Sequence, residues 1–241
     1  MIEAFSAERA EMTLSEAAEA TGLTRATARR LLLTFTRLGF AASDGRKFRL
    51  TPKVLRLGYG YLSALPWWEH AQPHMRALAD EVRESCSIAT IDGADIVYVA
   101  RVPASRTMSI TLNVGSRLPA YPTSMGRVLL AALSETELKS YMDTVQLEAL
   151  TPNTITDPAA LRAELARVRE QGFAVVDGER EEGVRSAAAP LRGRSGAVLA
   201  ALNISANSAR ISLAELRERC VPRVVATAEA ISADIGFAGV H

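Results

Sequence analysis

Between Thr13 and Arg49 the chain reads TLSEAAEATGLTRATARRLLLTFTRLGFAASDGRKFR, a run whose punctuation permits little other than two short helices, a tight turn and a hairpin. Ser15 is placed to cap a first helix carrying Ala17, Ala18 and Ala20, and Gly22 supplies the left-handed backbone that ends it. Thr24 caps the second helix. There Ala28, Leu31, Leu32, Phe35 and Leu38 recur at helical spacing as one apolar stripe, while Ala26, Arg30, Leu33 and Arg37 lie opposite. After Gly39, residues 40–50 read as two short strands joined through Ser43, Asp44 and Gly45, with Arg46, Lys47 and Arg49 on the returning strand. The pattern is a helix-turn-helix followed by a basic wing, and it points first to DNA as a partner.

Charge separates this reading from an ordinary small helical bundle, in which every helix also carries an apolar stripe. From Gly22 to Pro66 there are nine Arg or Lys and one acidic residue, Asp44. The first 66 residues hold ten basic and six acidic groups (+4), leaving 18 basic and 21 acidic (−3), so the net +1 of the whole chain conceals a split. A basic amino-terminal unit has the footprint needed to displace counterions from a duplex, whereas a solvated charged face mixes signs. The second helix, from Arg25 to Thr34, would enter a major groove with Thr24, Arg25, Ala26, Thr27, Arg29 and Arg30 nearest the bases. Small Ala26 allows close approach, Arg30 reaches a guanine edge bidentately, and Thr24 and Thr27 suit phosphate oxygens. Arg46 and Lys47 on the wing suit backbone or minor-groove contacts, with a plain charged hairpin as the alternative.

At 241 residues and 48% hydrophobic, the chain is long enough for a second domain with its own core. The expected divisions are a DNA-binding unit over 1–51, a linker helix over 52–66 and a second domain over 67–241. In the linker, Val54, Leu55, Leu57, Tyr61, Leu62 and Leu65 give a partly apolar helix interrupted by Gly58 and Gly60, which Pro66 ends. The following helix packs Met75, Leu78, Ala79 and Val82. His70 and His74 on it stand at metal-ligand spacing, but Pro73 intervenes and no further Cys or His nearby completes a set, so neither metal nor cofactor is expected. Cys86 and Cys220 are too few and too far apart for a disulfide framework and read as small hydrophobes. No apolar run approaches the ~20 residues of a membrane span, and no charged-then-apolar leader opens the chain. A cytoplasmic protein without a membrane partner is the expectation.

In the second domain, Cys86 to Ile91, Asp95 to Val102 and Thr107 to Val114 read as a meander of strands. Thr123 to Leu133 is a helix, Ser134 with Glu137 opens another, and Asp157–Pro158 caps a longer one that stops at Gly172. Phe173 to Val176, Arg185 to Leu191 and Ala197 to Ile204 are further strands, and Ser212 with Glu215 caps a last helix to about Ile235. The class is α+β, an antiparallel sheet with flanking helices. Thr123, Ser124, Met125 and Gly126 lie at a helix start, where free N–H groups and hydroxyls suit a small carboxylate, or where Thr123 or Ser124 simply caps the helix. Asn203 and Ser205 share one face of their strand, which suits either a cavity wall or a solvated face. Val184 and Ser186 are candidates for the same cavity. Asp177, Glu179, Glu181 and Glu182 form a carboxylate cluster of the kind acid–base enzymes use. It lies in an expected loop, where acidic residues are commonly solvated, and no nucleophile or phosphate loop accompanies it, so catalysis is not expected.

Taken together, these motifs resemble the IclR family of transcriptional regulators along nearly the whole chain. LSEAAEATGLTRATARRLL, DGRKFRL, VGSRLPAYPTSMGRVLLAAL, TPNTITDP, GFAVVDGEREEGVRSAAAP and ALNIS occur in family order. The wording SRLPAYPTSMGRVLLA is especially similar to the PcaR, PcaU and PobR branch, which controls operons for protocatechuate, 4-hydroxybenzoate and β-ketoadipate breakdown. The resemblance implies a winged helix-turn-helix joined by a linker helix to a GAF-like effector-binding domain, with homodimers pairing into tetramers and no catalytic step. It carries an effector pocket onto Ser124, Met125, Val184, Ser186, Asn203 and Ser205. Its implied partners are an operator in double-stranded DNA and a small carboxylate effector. A second domain that only oligomerises is the competing expectation. Two departures stand out. Only Met1 to Phe5 precede Ser6, where the family pattern has a longer first helix, and Met125 is bulkier than the residue that glyoxylate-responsive members place there, which implies a different effector.

Overall fold

The computed structural model describes residues 1–104 and 112–237, and the chain divides into two compact units, Met1–Leu65 and Pro66–His241. The first unit holds a 3-10 turn Ile2–Ala4, β1 (Glu11–Thr13), α1 (Leu14–Thr21), α2 (Arg25–Arg37), β2 (Ala41–Ser43) and β3 (Lys47–Leu50). Thr13, not Ser15, caps α1: its hydroxyl accepts from the Glu16 N–H (3.3 Å) while the Glu16 carboxylate accepts from the Thr13 N–H (2.7 Å). This reciprocal box satisfies two donors at once, and Ser15 already sits inside the first turn. Gly22 (φ 65°) closes α1 in the left-handed conformation, and Thr24 caps α2 by accepting from the Thr27 N–H. The apolar stripe of α2 is buried only at Ala28 and Leu32; Leu38, at its end, is 52% exposed.

β1 has no clear signal in the sequence, yet it completes the wing sheet. The order is β1-β3-β2, antiparallel, with Met12 opposite Phe48. Met12, Ala17, Leu32 and Phe48 form the core of this unit, with Met1, Ala4, Phe5 and Leu14 packed against it. Arg46 belongs to the turn, not to the returning strand. Asp44 Oδ1 accepts from both the Arg46 and Lys47 N–H groups (2.8 and 2.7 Å), and Gly45 takes φ 95°. Beyond a 3-10 turn Pro52–Val54, α3 (Leu55–Leu62) runs through Gly58 and Gly60 without interruption, because neither glycine leaves the negative-φ region.

The second unit begins with α4 (Trp68–Val82), which buries Ala71, Met75, Leu78, Ala79 and Val82. There follow β4 (Ser85–Asp92), β5 (Asp95–Val102), β6 (Arg117–Pro119), α5 (Ser124–Ala131), α6 (Glu135–Thr144), α7 (Pro158–Gln171), β7 (Ala174–Asp177), β8 (Val184–Arg192) and β9 (Val198–Asn207). The strand expected over Thr107 to Val114 falls for the most part outside the described residues, and β6 is the strand that pairs with β5. The last helical stretch is not continuous. α8 (Leu213–Glu215) passes into a π-helical turn Leu216–Cys220 before α9 (Val221–Asp234), because Pro222 has no N–H for the regular ladder and the backbone accommodates it by widening. Among the described residues no helix is long and apolar enough to cross a membrane.

Two three-stranded meanders join at β4 and β9 into one antiparallel sheet, β6-β5-β4-β9-β8-β7. Central β9 is covered on both faces. Ala201 packs with Ala89, Ala174, Ala188, Met125 and Leu165 in the core beneath α5 and α7, and the alternating Leu202 and Ile204 are buried on the face of α4 and α9. Asn203, on the α5 face, is 3% exposed, which overturns the solvated-face reading of this strand. The close approach of α5 to its own lead-in depends on Gly126: a Cβ there would stand 2.0 Å from the Ala120 carbonyl oxygen. Gly126→Ala is therefore expected to destabilise the protein by ~1–3 kcal/mol or more, read as a lowered midpoint in urea unfolding; an unchanged midpoint would contradict this packing.

Candidate functional site

On α2, Arg25, Ala26, Arg29, Arg30, Leu33, Thr34 and Arg37 are all exposed, and Ala26, Arg29, Arg30, Leu33, Thr34 and Arg37 line one shallow groove along it. Among the described residues, Arg25, Arg29, Arg30, Arg37, Arg46 and Lys47 form no ion pair, so this face presents cations without counter-charges. Thr24 and Thr27 are hydrogen-bonded to each other (3.0 Å), and Thr34 donates to the Arg30 carbonyl (2.8 Å). Lys53 is used differently: its Nζ donates to the Leu38 carbonyl (2.7 Å) at the end of α2 and stands over the Phe40 ring. It answers an unpaired carbonyl and the negative end of the helix dipole. Asp44, the one acid in this stretch, is held well below the usual carboxylate range by the Lys47 and Arg46 N–H groups, which makes it a turn-former.

In the second unit all six residues assigned to a pocket, Ser124, Met125, Val184, Ser186, Asn203 and Ser205, line a single cavity of about 650 Å³ including its mouth. The sheet register explains why. Ser85 pairs with Ser205, Ser205 with Ser186 and Ser186 with Val176, so one row of small side chains crosses four strands on the face beneath α5. Thr123 caps α5: its hydroxyl accepts from the Gly126 N–H (3.1 Å) and donates to the Ala120 carbonyl (3.0 Å). That leaves the first-turn N–H groups of Ser124 and Met125 without an intrahelical acceptor. Thr123 thus takes the capping role and frees Ser124.

Two polar atoms in this wall are buried with no hydrogen-bond partner, Ser124 Oγ and Asn203 Oδ1; the Asn203 amide nitrogen donates to Ser205 Oγ (3.2 Å). The other such atoms, Trp67 Nε1 and Tyr141 OH, belong to residues that do not line the cavity. Tyr98, Arg101, Arg180 and Glu181 also line the cavity and were not foreseen there. Burial pushes the Tyr98 phenol up while Arg180 and Arg101 pull it down, so it stays a neutral donor at pH 7. Arg180 pairs with Glu181 (2.9 Å), and Arg101 has no ion-pair partner among the described residues. Tyr98 and Arg101 reach the cavity only through the pairing of β5 in the sheet, their sequence neighbourhood carrying no motif, whereas Arg180 and Glu181 come from the turn between β7 and β8.

The acidic cluster has a different character from the expected solvated loop. Glu179 is 7% exposed and paired with Arg127, itself 1% exposed. Asp177 pairs with Arg185 (2.6 Å), and Glu182 alone is exposed without an ion pair among the described residues. Each paired carboxylate has its own guanidinium, an arrangement that neutralises charge. His74 meets the Asp234 carboxylate (2.8 Å), and Cys86 and Cys220 are buried free thiols, both pushed up by burial.

Comparison with known proteins agrees with this geometry. The family description "IclR helix-turn-helix domain" matches residues 1–45, and "Bacterial transcriptional regulator IclR C-terminal" matches residues 59–233. The chain is 44% identical over 227 residues to the Pca regulon regulatory protein of Pseudomonas putida, covering 94% of this chain and 78% of that one. It is 34% identical to the Pca operon regulatory protein of Acinetobacter baylyi, over 95% and 84%. Among solved structures, a transcriptional regulator from Rhodococcus sp. RHA1 superposes with a TM-score of 0.86 at 50% identity, covering 97% of this chain and 94% of that one. An IclR homologue from Microbacterium hydrocarbonoxydans complexed with 4-hydroxybenzoate superposes at 0.84 and 26% identity, over 97% and 95%. The chain belongs to the IclR family of bacterial transcriptional regulators. It is a DNA-binding regulator with an effector-binding domain, and not an enzyme.

Proposed function

We propose that this regulator controls an operon for the breakdown of aromatic-pathway acids and that its effector is a small carboxylate of the protocatechuate, 4-hydroxybenzoate or β-ketoadipate type. The observation that carries the proposal is the cavity with two buried, unpartnered polar atoms at the start of α5 and on β9. A fold retains such groups at a cost, and a ligand that supplies a donor to Asn203 Oδ1 and a partner to Ser124 Oγ removes that cost. Names among the relatives, two of them Pca regulators and one a p-hydroxybenzoate hydroxylase activator, support this ligand class, as does the 4-hydroxybenzoate bound by the Microbacterium homologue. Ser124, Met125, Val184, Ser186, Asn203 and Ser205 are the proposed contacts, with the Ser124 and Met125 N–H groups turned to the carboxylate.

In the same proposal residues 1–51 bind DNA, 52–66 link, and 67–241 bind effector and oligomerise. A dimer or tetramer in the cytoplasm reads two half-sites, with Thr24, Arg25, Ala26, Thr27, Arg29, Arg30 and Thr34 in the major groove and Arg46 and Lys47 on the backbone or minor groove. The effector acts by binding one arrangement of the assembly better than another, since only differential affinity shifts such an equilibrium. Arg30→Ala is expected to weaken specific operator binding by ~1–3 kcal/mol in a gel-shift titration; unchanged affinity would remove Arg30 from base readout. At least one of the three acids should raise the melting temperature in proportion to its concentration, and the shift should shrink when Ser124 or Ser205 is replaced by Phe. A flat response to all three would contradict the ligand class.

A further inference from the structure

We propose that Arg127 and Glu179 are positioning residues for this cavity, a buried ion pair that ties its two walls together and so fixes the groups that meet the effector. The inference rests on the effector reading of the cavity. One wall is the segment from Tyr121 into α5, which contributes Pro122, Thr123, Ser124 and Met125. The other is the turn between β7 and β8, which contributes Arg180 and Glu181. Arg127 reaches both. Its Nε donates to the Tyr121 carbonyl (3.1 Å) at the root of the first wall, and its Nη2 donates to the carboxylate of Glu179, the residue just before Arg180. Its Nη1 faces Glu164 at 3.7 Å.

The far end of the strut is itself held. Thr151, which opens the TPNTITDP motif, donates through its hydroxyl to the Gly178 carbonyl (2.6 Å), and Thr154 donates to the Glu179 carbonyl (2.6 Å). The Ile155 N–H donates to the same Glu179 oxygen that Arg127 holds (3.4 Å). The turn is therefore pinned on its backbone and on its side chain. Burial pushes the Glu179 carboxyl up and Arg127 pulls it back, so the charged form depends on the guanidinium. A buried ion pair of this kind is poor evidence for stability, because apolar side chains of similar volume often serve as well. What they lack is direction. A planar guanidinium with donors in a fixed fork holds a carbonyl and a carboxylate at one set distance from each other.

The test separates direction from stability. In the double variant Arg127→Met/Glu179→Met, Glu164 keeps Arg167 as its partner (2.6 Å), so no buried charge is stranded. The melting temperature of the full chain is expected to stay level or rise. Amide hydrogen exchange should accelerate in residues 178–183, and 4-hydroxybenzoate should bind about tenfold or more weakly, the scale on which residues that orient ligand-holding groups act. Wild-type exchange in 178–183 overturns the proposal, and so does unchanged affinity where the parent protein binds the acid. A parent protein that binds none of the three acids contradicts the proposed function, and the exchange measurement still judges the strut. Should the double variant fail to fold, Arg127→Lys, a point charge that cannot span Tyr121 and Glu179 together, is expected to give the same local acceleration; wild-type exchange there overturns the proposal as well.

Discussion

A buried hydroxyl or amide oxygen without a partner costs ~1–3 kcal/mol, and the cavity wall of the effector-binding unit holds two, Ser124 Oγ and Asn203 Oδ1. Much of the surrounding structure follows from keeping them there. Asn203 lies on β9, the strand at which the two meanders join, so its side chain is sealed beneath a helix instead of facing water. Ser124 is free for a ligand because Thr123 takes the cap of α5. α5 itself comes close enough to roof the cavity because Gly126 lets the Ala120 backbone cross it. Small residues along the row Ser85, Ser205 and Ser186 leave the space, where larger ones would have filled it with ordinary core.

The DNA-binding unit obeys the opposite electrostatic rule. Two of its acidic residues are consumed locally, Glu16 in the cap of α1 and Asp44 in the wing turn, while the guanidinium groups along α2 stay exposed and unpaired among the described residues. In the second unit several arginines are answered by carboxylates: Arg127 by Glu179, Arg185 by Asp177, Arg210 by Glu84. The contrast is physical. A surface that must displace counterions from a polyanion keeps its cations free, whereas a domain that must hold a shaped cavity uses them as ties.

Local signals were legible in the sequence and distant ones were not. The caps at Thr24, Ser134, Asp157 and Ser212 and the left-handed ends at Gly22 and Gly172 are decided by neighbours within a turn, and each lies where the spacing indicated. The cap of α1 moved from Ser15 to Thr13 because two residues competed and only Thr13 stands three before a glutamate. β1 was missed because three residues carry too little period to register, and its pairing is made with β3, far along the chain. The burial of Glu179 was missed for the same reason: its partner lies 52 residues away, and a run of four acids reads as solvated until the turn is seen folded under α5. Ser124 and Met125 were legible as candidates from the helix start and Asn203 and Ser205 from the alternation of their strand, and the family motifs gathered these with Val184 and Ser186 into one pocket. Tyr98 and Arg101, on β5, have no such motif and needed the register.

The account stands or falls on whether the Ser124 hydroxyl waits for a ligand instead of serving the fold. Unfolding free energies of Ser124→Ala and the parent, each measured by chemical denaturation without and with saturating effector, decide it. The account predicts that the unliganded variant is as stable as the parent or more so, and that it loses much of the stabilisation that effector confers. An unliganded variant weakened by ~1 kcal/mol or more, with effector stabilisation intact, would mean that the hydroxyl already has its partner and that the cavity is not built around it.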